Sequence, residues 1–125
     1  MTLERWEVRQ GLALFLDPSL LLANDAGFTG GRRGRARGLH YFLCLSVEGR
    51  QTDWVATSSR PAVGRARLLR KWGNRSWVEG DSYADLWQVW TVDIDVVRLV
   101  ARMCDRSQRG ARNYGDVDGL ALIAA

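Results

Sequence analysis

Residues 29–46, TGGRRGRARGLHYFLCLS, place the only histidine of the chain behind four arginines, with no acid among them. An imidazole that titrates near neutrality can take up and return a proton during a reaction, so His40 is a candidate acid/base. The guanidinium fork suits phosphate oxygens, which makes Arg35 and Arg37 candidates for holding a phosphodiester backbone. A second basic stretch, residues 60–75, carries five arginines, one lysine and no acid, and residues 76–95 then carry five acids and no base. Within that stretch, Arg60 and Arg65 are candidate phosphate contacts. Trp72 and Trp77, in RKWGNRSW, could stack on unpaired bases or pack at the end of a sheet. A blander reading stands beside this one. Seventeen of the eighteen basic residues are arginine, the pattern of a genome-wide codon bias, under which the run is a solvated loop. GGRRGRARG is not a phosphate-cradling P-loop, because it lacks the Gly-Lys-Ser/Thr ending and precedes a strand pattern.

The elements that must position these residues belong to a chain of 125 residues, 46% apolar and 26% charged, with a net charge of +4. That length implies one domain, residues 1–125, with a core of its own. No apolar run reaches the roughly 20 residues of a membrane span. The N-terminus lacks the layout of a signal peptide, so the expected location is cytoplasmic and no membrane partner is expected. Cys44 and Cys104 are too few for a disulfide framework or a zinc site; Cys44 reads as a core residue. Asp81 and Asp85 have no metal-ligand spacing and read as solvated turn acids. No metal and no cofactor is expected.

GLALFLDP (11–18) reads as a strand stopped by Asp-Pro. Residues 19–39 read as a long Gly/Arg-rich loop with at most one helical turn. HYFLCLSVEG (40–49) and QTDWVATSS (51–59) read as a hairpin around a Glu-Gly turn. Residues 63–71 alternate as a half-exposed strand, 76–78 as a short one, and 86–93 as a further β-rich run. Val96, Val97, Leu99, Val100 and Met103 recur at helical spacing, which predicts a helix over 94–104 capped by Asp93 or Asp95. Residues 105–125 read as a polar tail whose last apolar piece could dock as an edge strand. The whole predicts a mainly β protein with a C-terminal helix, about five to seven short strands forming a small, partly open barrel.

Several of these pieces, in order, resemble the MazF/PemK family of toxin endoribonucleases. GLALFLDP resembles the family's opening strand, ending in the same Asp17-Pro18. LHYFLCLS resembles its second strand, closing on Ser46, and WVATSS its third. LWQVWTVDIDVVRLVAR resembles the stretch leading into its helix, with Gln88, Thr91 and Asp93 in place. The resemblance spans residues 11–102. It implies an SH3-like barrel that pairs as a homodimer, acts on single-stranded RNA, and can be bound by an acidic antitoxin protein. It implies metal-independent cleavage, in which the ribose 2′-OH attacks the adjacent phosphate.

The family's two main catalytic residues are an arginine before the second strand and a threonine after the third. The threonine falls on Thr57, with Ser58 next if the register slips by one. The arginine position holds His40, and the loop between Pro18 and His40 is longer than the family's. The resemblance thus assigns Thr57 and His40 as catalytic residues, with Ser58, Gln88, Arg35, Arg37, Arg60, Arg65 and Trp72 toward substrate. A second expectation from another class is a catalytically silent SH3-like barrel that binds nucleic acid or a protein through the same basic groove.

Overall fold

A computed structural model describes residues 3–30, 40–58, 60, 64–68, 82–104 and 113–114, with positions 40, 66–68, 82, 113 and 114 described by backbone alone. After a 3-10 turn at Arg5–Glu7, the order is β1 (Leu12–Leu16), α1 (Pro18–Ala23), β2 (Gly27–Gly30), β3 (His40–Glu48), β4 (Gln51–Ser58) and β5 (Arg65–Leu68). It continues with β6 (Ser82–Asp85), β7 (Gln88–Asp93), α2 (Ile94–Met103) and β8 (Asn113–Tyr114). The protein is mainly β with one C-terminal helix. The antiparallel sheet runs β2-β7-β4-β3-β1-β8 and is open, since β2 and β8 end the path.

The β3–β4 hairpin sits at the centre because its two strands alternate two sets of apolar side chains. Phe42, Cys44, Trp54 and Ala56 face one core with Leu12, Leu14, Leu16, Trp90 and Val92, packed beneath Leu21 of α1 and Val97, Val100 and Ala101 of α2. Leu43 and Val55 face a second core with Ala13, Ala84 and Leu86. A sheet buried on both faces reads as a near-continuous apolar run, which is what FLCL and WVA are. Two fully buried tryptophans, Trp54 and Trp90, dominate the larger core, and truncating either to alanine costs about 3–5 kcal/mol.

Each buried indole solves its polar problem within its own strand. Trp54 Nε1 donates to Thr52 Oγ1 at 2.7 Å, and that hydroxyl donates to the Val92 carbonyl at 2.6 Å. Trp90 Nε1 donates to Gln88 Oε1 at 3.0 Å. Phe28 of β2 tilts against Trp90 and Phe42 meets it edge-on, with centroids 4.9 and 5.8 Å apart.

β4 has one neighbour on its β3 side and two in succession on the other. Residues 51–54 pair with β7, whereas Thr57 and Ser58 pair with Ala84 and Tyr83 of β6. The strands β6 and β7 run in one direction, interrupted by the turn at Leu86–Trp87. β5 lies outside β6 and β2 outside β7.

Three expectations need correction. Residues 19–39 are not one loop, because 19–30 hold most of α1 and all of β2. Asp17-Pro18 begins a helix instead of stopping a strand: Asp17 accepts the Ser19 amide at 2.8 Å and Pro18 takes the first helical turn, where its missing N–H costs nothing. The strands number eight among the described residues, above the expected five to seven, because β2, β6 and β8 are four, four and two residues long and leave little periodicity to read. The predicted hairpin and helix stand close to their expected bounds, with Asp93 as the cap. The short strand expected at 76–78 and the terminal apolar piece lie outside the described residues.

Candidate functional site

The register of the sheet collects polar residues where β4, β5 and β6 meet. Ser58 pairs with Tyr83, and Arg65 pairs with Asp85, two residues along the same strand. Alternation along pleated strands puts direct partners and i, i+2 neighbours on one face, so Ser58, Tyr83, Asp85 and Arg65 share a face. Arg65 joins them: its Nη1 donates to Ser58 Oγ at 3.2 Å and to the Arg60 carbonyl at 2.9 Å, and its Nε lies 3.9 Å from Asp85 Oδ2. The Arg60 amide also donates to Ser58 Oγ, at 3.2 Å. Arg65 is thereby held partly buried, while Arg60 is exposed and its guanidinium has no partner among the described residues. Two cations beside a hydroxyl, with only one nearby carboxylate, form a surface that favours an anion.

Both ends of the first basic run lie at this end of the sheet. Gly30, the last residue of β2, pairs with Gln88 at the start of β7, and His40 opens β3 opposite Leu16. The β3–β4 ladder pairs Phe42 with Ala56. Continuing that register by two residues sets position 40 across from Ser58, and position 41 across from Thr57. Thr57 therefore belongs to the other face of the ladder, where its Oγ1 donates to the Tyr41 carbonyl at 3.0 Å. Of the two hydroxyls read from the sequence, Ser58 shares the register position of His40 and the arginine cluster; Thr57 does not.

Gln88 is buried at 3% exposure and holds the Trp90 indole, a packing role beneath the site. Arg35, Arg37, Trp72, Trp77 and Asp81 lie outside the described residues. Asp85, expected as a solvated turn acid, ends β6, lies beside Arg65 and accepts the Trp87 amide at 3.2 Å. Sequence reading missed Asp85 and Tyr83 because nothing between 65 and 85 announces that these segments pair. The signal present was the change from a base-only to an acid-only segment.

At the opposite end of the sheet the charges pair among themselves. Arg50, in the β3–β4 turn, donates to both oxygens of Asp93 at 3.0 and 3.3 Å and to Asp95 at 3.2 Å. Asp95 also takes both Arg5, through a paired fork, and Arg98 at 3.1 Å. Arg98 Nε donates to the Leu3 carbonyl at 2.8 Å. The Arg50 hydrogen bond holds the Asp93 carboxyl below its ordinary value, and the Arg5 hydrogen bond does the same for Asp95. Cys44 is chemically quiet: burial pushes its thiol up to about 12. Among the described residues no group of three or more His, Cys, Asp or Glu stands together as metal ligands, and no helix is long and apolar enough to cross a membrane. Comparison of the chain with protein-family models, with curated proteins and with solved structures gives no match.

Proposed function

We propose that this protein acts on single-stranded RNA at the β4–β5–β6 end of its sheet, as a metal-independent endoribonuclease of the MazF/PemK type with an SH3-like barrel. The observation that carries the reading is the convergence of the two basic segments. Arg60 and Arg65 flank Ser58, and the chain enters and leaves the GGRRGRARG run at Gly30 and His40 on the same end. In this reading the arginines hold the phosphate and stabilise charge built up on it. His40 takes the ribose 2′-OH proton as that oxygen attacks the neighbouring phosphorus. The P–O5′ bond breaks, leaving a 2′,3′-cyclic phosphate and a 5′-OH end. Ser58, across from position 40, is better placed than Thr57 to meet the same phosphate. Trp72 would stack on a base, and a homodimer or an acidic antitoxin partner belongs to the same proposal.

A second reading has its own support. The Thr57 hydroxyl is donated to the Tyr41 carbonyl, and Ser58 Oγ accepts from two groups. Hydroxyls engaged in this way suit a rigid, catalytically silent module that binds nucleic acid. One experiment separates the two. Mixed-sequence single-stranded RNA is incubated with the protein in EDTA, and the product ends are examined for wild type, His40→Ala, Ser58→Ala and Thr57→Ala. Cyclic phosphate ends that disappear in His40→Ala support the enzyme. Salt-sensitive binding without new ends supports the module, and neither binding nor cleavage sinks both.

A further inference from the structure

The turn that separates β6 from β7 is wedged between two glycines, and each glycine borders a basic segment. Gly30 (φ 81°) precedes the GRRGRARG run, and a Cβ there would lie 1.8 Å from the Trp87 carbonyl oxygen. Gly64 (φ 83°) precedes Arg65, and a Cβ there would lie 1.2 Å from Trp87 Nε1. Positive φ already favours glycine at both places, and the close approach of Trp87 excludes any side chain. The backbone closes the same contact: the Leu86 amide donates to the Gly64 carbonyl at 2.9 Å, and Asp85 holds both the Trp87 amide and Arg65. One residue thus touches the chain where the first basic segment begins and where Arg65 of the second begins.

We infer that Trp87 is a positioning residue for a polyanion, a clasp that fixes the spacing between the 31–39 arginines and the Arg60–Arg65 pair. Binding a flexible strand across two cationic segments gains most when their separation is set beforehand, because the ordering cost is then already met. Trp87 touches no phosphate in this scheme. It determines how many phosphates one strand can meet at once.

This inference rests on the nucleic-acid reading of the site, and the test separates the two. Binding of single-stranded RNA is measured as a function of salt for wild type, Trp87→Ala, Trp87→Phe and Gly64→Ala, with amide exchange of Leu86 followed in parallel. The expected result is about tenfold weaker binding and a shallower salt dependence in Trp87→Ala and Gly64→Ala, with faster Leu86 exchange. Trp87→Phe, which keeps a flat ring against Gly64, restores most of both. Should Trp87→Ala prove too unstable to purify, Gly64→Ala carries the same test with the tryptophan in place. Wild-type affinity and slope in variants whose Leu86 amide has opened would overturn the clasp and leave the binding site standing. Wild-type protein that does not bind RNA overturns the reading beneath it.

Discussion

The two ends of the sheet use the same residue type for opposite purposes. At the β3–β4 turn, three arginines from the 3-10 turn, the hairpin and α2 meet two aspartates, and every charge is answered within the protein. At the β4–β5–β6 end, Arg65 has one carboxylate 3.9 Å away and Arg60 has none among the described residues. The first end fastens α2 and the N-terminus to the hairpin. The second leaves positive charge unspent, beside a run of four more arginines. An arginine-rich composition is therefore uninformative by itself, and the placement of acids decides which arginines remain for a ligand.

The largest expected effect tests that contrast directly. Replacing both Arg60 and Arg65 with alanine should weaken single-stranded RNA binding about a hundredfold near 0.1 M salt, as two phosphate contacts are lost. The matched pair Arg5→Ala/Arg50→Ala should stay within about twofold of wild type. Equal losses at both ends, in a fluorescence titration, would erase the distinction. Acid should act on the other end. Asp93 and Asp95 have depressed carboxyl pKa values in the folded protein, so their contribution is complete above the ordinary carboxylate range and disappears as pH falls through the depressed values. The melting temperature should therefore fall more steeply between pH 5 and pH 2 in wild type than in Asp95→Asn, by about 4 °C. Parallel curves would mean that this network adds nothing.

A smaller effect separates the two neighbouring hydroxyls. Ser58→Ala should weaken RNA binding about threefold by freeing Arg65 from one of its acceptors, with little change in stability. Thr57→Val should leave binding unchanged and cost about 1 kcal/mol in urea unfolding, for a partly buried hydrogen bond to the Tyr41 carbonyl. The reverse pattern would return Thr57 to the centre of the site. The smallest effect concerns reactivity: a thiol reagent at pH 8 should leave Cys44 unmodified in folded protein, since burial keeps it protonated.

The β3–β4 hairpin and α2 were legible because their signals are local. Alternation, the Glu-Gly turn and an aspartate cap ahead of a 3.6-residue repeat need no knowledge of distant partners. α1 and β2 were not. Asp-Pro serves equally as a stop and as a helix start, and GFTG becomes a strand only because β7 pairs with it. The site was half legible for the same reason. Arg60, Arg65 and Ser58 could be singled out by charge and by position beside β4. The Arg65–Asp85 pairing depends on a register between segments twenty residues apart, and the two-residue alternation that sends Thr57 to one face and Ser58 to the other depends on a strand phase that family resemblance does not set.

The two buried tryptophans carry a consequence for how this core tolerates change. Thr52 with Trp54, and Gln88 with Trp90, are partners at i and i+2, so each dyad can satisfy its indole before any other strand arrives. Members of a dyad should change together. Gln88→Leu alone strands an indole N–H in the core, whereas Gln88→Leu with Trp90→Phe removes donor and acceptor at once. The double variant should be more stable than the sum of the two single losses predicts, a coupling that a four-member cycle would measure. Among related chains, wherever one member of a dyad has become apolar, the ring two residues away should have lost its nitrogen as well.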